Sequence, residues 1–138
     1  MTLLRRTLAV AVIGTLAAVG LLVAPSVAGT PTTYHLSDSG RTVTVVKGHL
    51  IRITLRTASD GGYGWVVTHG RHSTTFKIVS RAVTQSNPPG TVGGYSVTTY
   101  TLRATARGTD TFRAIERRSF DKTDVIRRFA LHITVVRR

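Results

Sequence analysis

The sequence predicts an all-β protein, a sandwich of two antiparallel sheets packed face to face. Two observations carry that prediction. Apolar and polar residues alternate with a period of two over several short stretches, and no stretch after the N-terminal segment holds a helical period for three turns. Turn-forming dipeptides also punctuate the chain at the spacing a sandwich needs.

The alternation is clearest where Ile51, Ile53 and Leu55 interleave with Arg52, Thr54 and Arg56, placing aliphatic side chains on one face and polar ones on the other. Phe129, Leu131, Ile133 and Val135 repeat it, and so do Tyr100, Leu102, Ala104 and Ala106. Turns are expected at Asp38-Ser39-Gly40, Lys47-Gly48, Asp60-Gly61-Gly62, His69-Gly70, Asn87-Pro88-Pro89-Gly90, Arg107-Gly108 and Asp121-Lys122-Thr123-Asp124. Between them lie about seven strands, near 41–47, 50–57, 63–69, 74–83, 95–107, 109–118 and 127–137. That count and spacing fit an immunoglobulin-like sandwich without the cysteine pair of antibody domains. Residues 29–40 read as a lead-in, of which 29–35 are a short mobile segment with Pro31 interrupting any strand.

The first 28 residues have the make-up of a secretion signal. Arg5 and Arg6 supply the positive start, an apolar stretch runs from Leu8 to Val23, and Ser26-Val27-Ala28 offers small residues for cleavage near Ala28. The expected product is an extracytoplasmic, monomeric single domain spanning 41–138 after its lead-in, a length that closes a two-layer core. With no cysteine in the chain, its stability must come from that core.

Among 138 residues, 19 are basic and 6 acidic, for a net charge of +13. All the basic residues but Lys47, Lys77 and Lys122 are arginine, which favours planar contacts to carboxylate or phosphate. An anionic envelope polymer is therefore an expected partner. Nucleic acid is not, because the arginines are spread along the chain and not clustered with aromatics. Enzymatic activity is not expected either. There is no cysteine nucleophile, no Gly-x-Ser-x-Gly elbow, and no catalytic pairing among the acids. His69 and His72 are three apart, with no acid or third histidine near them in sequence to complete a metal set, so neither metal nor cofactor is expected.

Three short stretches between strands carry glycine and aromatic residues, as a presentation surface on a rigid scaffold does. They are Gly62-Tyr63-Gly64-Trp65, then Gly90-Thr91-Val92-Gly93-Gly94, then Arg118-Ser119-Phe120-Asp121. Their order and spacing resemble the chagasin family, small immunoglobulin-like inhibitors of papain-like cysteine peptidases. In that family the three loops typically read Asn-Pro-Thr-Thr-Gly-Tyr-x-Trp, a Gly-rich segment, and Arg-Pro-Trp. The resemblance covers roughly residues 41–138 and implies a tight, reversible, non-covalent wedge in the peptidase cleft. It makes Asp60, Gly61, Gly62, Tyr63, Trp65, the 90–94 segment, Arg118, Ser119, Phe120 and Asp121 the expected contact residues.

The chain departs from the pattern at three places. Ala58-Ser59-Asp60-Gly61 replaces Asn-Pro-Thr-Thr, Ser119-Phe120 replaces Pro-Trp, and Glu116 stands where a tyrosine is usual. An inward Glu116 needs a cation, with Arg117, Arg118 or Arg103 as candidates, because an unpaired buried carboxylate is costly. Trp65 shares its face with Val67 and is expected in the core, whereas Phe120 is expected in the open. With its loops no longer inhibitory, the same basic sandwich would serve as an envelope-binding or adhesion module.

Overall fold

The computed structural model describes residues 29–57 and 61–138. The expected leader, its cleavage site at Ala28, and residues 58–60 with Asp60 lie outside the described residues. The alternating segments form strands β2 (Thr42–Val46), β3 (Leu50–Arg56), β4 (Tyr63–His69), β5 (Phe76–Gln85), β6 (Ser96–Ala104), β7 (Gly108–Arg118) and β8 (Val125–Val136). An additional strand, β1 (Thr32–His35), precedes them, followed by one 3-10 turn at Leu36–Asp38.

The lead-in is thus structured, contrary to expectation. Pro31 does not break β1 because it sits just ahead of it, and β1 lies at a sheet edge where a missing donor costs little. Tyr34 and Leu36 pack against the core and hold the segment down. The sixth strand ends earlier than expected, at Ala104, which leaves Ala106 in the following turn and only half-buried.

One sheet runs β1-β3-β6-β5 and the other β2-β8-β7-β4. Most neighbours are antiparallel, but β1 with β3 and β2 with β8 are parallel, so each sheet is mixed at one edge. The cause is connectivity: the chain leaves β1 for the opposite sheet before returning as β3, so β1 and β3 cannot form a hairpin.

The alternating faces meet between the sheets. Ile51, Ile53, Leu55, Leu102, Leu131 and Ile133 are fully buried, together with Trp65, Phe76, Tyr100, Phe112 and Phe129. The Phe112 ring lies 5.3 Å from that of Tyr100 and 6.3 Å from that of Phe129, tilted or edge-on in each case, as the aromatic quadrupole prefers. Tyr100 satisfies its buried hydroxyl by donating to the Trp65 carbonyl at 2.9 Å.

Two strand irregularities shape the surface and the pairing near the loops. A bulge between Ile78 and Ser80 shifts the β5–β6 register, and Val79 and Val83 on this edge strand are exposed. A second bulge shifts the β7–β8 register just past the Glu116–Arg127 pair, so that Arg117 faces Val125. Strand direction places the β3–β4, β5–β6 and β7–β8 connections at one end of the sandwich.

Candidate functional site

Those three connections contain the three stretches singled out by sequence, and side-chain and backbone bonds join each to its neighbours. The first loop, 57–62, is tied to the third, 119–124, through the Gly62 carbonyl, which accepts from the Ser119 amide at 3.1 Å and the Ser119 hydroxyl at 3.0 Å. Gly62 has φ +76°, and a Cβ there would stand 3.2 Å from Cε1 of Phe120. Glycine is therefore what lets the Phe120 ring settle over the first loop.

Tyr63 adds a second tie, its hydroxyl donating to Asp124 Oδ2 at 2.8 Å. This hydrogen bond raises the Tyr63 pKa above its ordinary value, with desolvation acting in the same direction. Arg118 pairs with the same Asp124 carboxylate at 3.2 Å. Its guanidinium lies 5.0 Å from the Tyr63 ring centre and 5.7 Å from that of Phe120, within the range of cation–π attraction. Arg118 therefore holds the two aromatic residues about one cation.

The third loop is also braced within itself. Asp121 Oδ1 accepts from the Thr123 amide at 2.9 Å and its hydroxyl at 2.6 Å, an Asx-type turn. The Thr123 hydroxyl, then its amide, lower the Asp121 pKa below the ordinary carboxylate value. Phe120 remains 77% exposed.

The second loop, 86–95, connects the paired strands β5 and β6 and is wound around Asn87. Ser86 and Tyr95 exchange bonds, amide to carbonyl and amide to hydroxyl, each at 2.8 Å, while Asn87 Nδ2 donates to the Gly93 carbonyl. Thr91 Oγ1 donates to the Pro88 carbonyl at 2.7 Å. Gly94 has φ +102°, and a Cβ there would fall 2.6 Å from both Asn87 Nδ2 and Ser86 Oγ. This winding pushes Val92 to the tip, where it is 96% exposed.

The second loop is fastened to the first at its base. Thr57 donates its amide to the Ser96 carbonyl at 2.8 Å and accepts the Ser96 amide on Oγ1, also at 2.8 Å. The Arg56 guanidinium lies 3.5 Å from the Tyr95 ring centre. Sequence reasoning placed the tip residues but missed these fasteners. Asn87 beside two prolines could have been noticed as a turn former, whereas nothing local marks Arg56, Thr57, Ser96 or Asp124.

The expected contact residues therefore separate. Gly61, Gly62, Gly90, Thr91, Val92, Gly93, Gly94, Ser119, Phe120 and Asp121 are exposed on this end. Tyr63 and Arg118 are half-buried supports, and Trp65 is only 1% exposed. Trp65 belongs to the core below the loops, its Nε1 donating to the Arg56 carbonyl at 3.2 Å.

Glu116 is 0% exposed and has a partner other than those expected. Its Oε2 accepts from Arg127 Nε at 2.5 Å. The regular β7–β8 register accounts for the choice, since it sets Arg127 directly opposite Glu116 on the inward side, whereas Arg117 belongs to the outward side of β7 and Arg103 to the other sheet.

At the opposite end, the fold brings Asp110, distant in sequence, beside His69, with Oδ1 at 3.0 Å. Among the described residues no group of three or more histidine or acidic residues is arranged to hold a metal.

Exposed loops braced to one another thus gather at one end of the sandwich. The family profile described as chagasin family peptidase inhibitor I42 matches residues 44–133, and this chain belongs to the chagasin family. Its members are inhibitors of cysteine peptidases and not enzymes, and inhibition is the function of this chain.

The crystal structure of the cysteine protease inhibitor EhICP2 from Entamoeba histolytica has a TM-score of 0.62 at 20% identity, covering 75% of this chain and 93% of that one. The solution structure of amebosin also has a TM-score of 0.62, at 23% identity over 78% of this chain and all of the other, 100%. PbICP-C, solved in complex with falcipain-2, has a TM-score of 0.49 at 17% identity, covering 77% and 91%. At these identities the likeness is one of fold. No curated protein sequence matches the chain.

Proposed function

We propose that this protein is exported, trimmed near Ala28, and acts as a soluble monomer that blocks papain-like cysteine peptidases with its three loops, without forming a covalent bond. The observation that carries this reading is the fastening of the loops: Gly62 to Ser119, Tyr63 to Asp124, and Thr57 to Ser96. Loops ordered before contact lose little entropy on docking, so more of the contact energy appears as affinity. Phe120 and Val92 provide exposed apolar tips, while Gly61 and Gly62 allow the backbone to come close to the catalytic thiolate.

The test is a titration of active papain with the purified protein. Competitive inhibition at micromolar concentration or below is expected, with the inhibitor recovered intact and trypsin unaffected by it. Absence of papain inhibition overturns the reading.

An anionic envelope polymer as a second partner is favoured by the way charge is distributed. The acids Asp38, Asp110, Glu116 and Asp124 are paired with Arg41, His69, Arg127 and Arg118. Arg52, Lys77 and Arg103 on one sheet, and Arg113 and Arg128 on the other, are exposed. Both broad faces thus present cations, and binding to a polyanion should collapse as salt is raised, while loop docking should weaken only modestly.

A further inference from the structure

Two side chains converge on one backbone atom beneath the loops, and a third holds one of them in place. The carbonyl of Arg56, the last residue of β3, accepts from Trp65 Nε1 at 3.2 Å and from Arg127 Nη2 at 2.6 Å. The Nε of the same Arg127 donates to Glu116 Oε2 at 2.5 Å, and its guanidinium lies 5.6 Å from the Trp65 ring centre. Trp65 is on β4 and opposite Glu116 on β7, Arg127 is on β8, and Arg56 is in the other sheet. The node therefore ties the two sheets together at the end that bears the loops.

Its connections reach all three loops. Arg56 immediately precedes the first loop, Arg127 follows the third on β8, and the side chain of Arg56 lies over Tyr95 at the close of the second. A guanidinium can serve two partners at a fixed angle because its donors lie in one plane, which an ammonium cannot copy. Buried ion pairs add little net stability, and an apolar pair of similar volume often serves as well. Stability alone thus gives no reason for a carboxylate at position 116.

We propose that Glu116 and Arg127 are positioning residues for inhibition. Glu116 aims the Arg127 guanidinium at the Arg56 carbonyl, and that contact sets where the first loop leaves β3 relative to the second and third. The inference rests on the three-loop mode of inhibition and extends it to a residue at which this chain departs from the family pattern.

Two variants test it, with the unaltered protein as reference. Arg127→Lys keeps the charge beside Glu116 and loses the fork. The double change Glu116→Gln with Arg127→Met removes the ion pair while roughly conserving volume. Both should retain a cooperative melt near that of the unaltered protein, while papain inhibition weakens about tenfold or more, corresponding to the loss of roughly one charge-assisted hydrogen bond. In the free variants, amide hydrogen exchange at Thr57, Ser119 and Tyr95 should speed up, with core amides unchanged.

Folded variants that inhibit as well as the unaltered protein overturn the proposal, and so do variants that fail to fold, since the pair would then be a stability element. Should the unaltered protein not inhibit papain, the three-loop reading fails by itself. The exchange measurement then still decides whether the pair positions the loops.

Discussion

Tyr63 and Asp124, 61 positions apart in sequence, are joined by a 2.8 Å hydrogen bond that brings the first strand after one loop to the last residues of another. The bond gives the third loop a fixed seat against β4, and it makes Tyr63 a support of the proposed docking surface. Tyr63→Phe should keep the ring under Arg118 and remove only this bond. A melting temperature a few degrees lower is expected, together with weaker papain inhibition. The raised pKa gives the bond a pH signature as well. Its contribution is fully present below the ordinary tyrosine value of about 10 and is lost as pH rises through the higher folded value. Melting at graded alkaline pH on both forms checks this, and the difference between them should vanish at the alkaline end.

Trp65 and Phe120 should respond oppositely to truncation. Trp65→Ala removes a side chain that is 1% exposed and a donor to the Arg56 carbonyl, and should destabilise the fold by about 3–5 kcal/mol. Phe120→Ala should leave the melt nearly unchanged and weaken peptidase binding by about 1–3 kcal/mol, the range of a modest interface anchor. Paired melting and inhibition curves distinguish the two. An unfolded Phe120→Ala protein would reverse these assignments.

Gly94 is the residue on which the second loop depends. Gly94→Ala adds a methyl group 2.6 Å from Asn87 Nδ2 and Ser86 Oγ, at φ +102°. The backbone strain alone costs roughly 1–2 kcal/mol, and the Asn87 bond to Gly93 must break to make room. Since the loop lies outside the core, the expected result is a nearly normal melt with impaired inhibition. Loop amide shifts in an NMR spectrum would show the change directly, and unchanged shifts would mean that Gly94 does not set the loop.

The lowered pKa of Asp121 bears on working pH. The group is depressed by the Thr123 hydroxyl and amide, so the turn it stabilises is fully formed above the ordinary aspartate value of about 3.9 and lost only as pH falls through the lower folded value. Inhibition should therefore be flat through mildly acidic conditions and decline only in strong acid. Asp121→Asn should flatten that acid limb. A third-loop contribution that already titrates away near neutrality would show that Asp121 does not hold the turn.

The strands and the tips of the loops were legible in the sequence because each depends on near neighbours. Alternation alone assigns Ile51, Ile53 and Leu55 to one face, since a strand turns successive side chains to opposite sides whatever lies beyond it. Gly62, Gly94 and Phe120 stood out for the same kind of reason, as residue types whose local backbone or exposure is distinctive. The strand at Thr32–His35 was not legible, because its place depends on pairing with β3 and not on its own pattern. The partner of Glu116 was decided only by tertiary structure. Of several arginines nearby in sequence or expected from neighbouring strands, the one chosen was Arg127, brought opposite by the pairing of β7 with β8. The same holds for Arg56, Thr57, Ser96 and Asp124. Each is an ordinary polar residue in its own segment and becomes a fastener only when the sheets stack, because hydrogen-bond direction and burial are properties of the assembled pair and not of either chain segment alone.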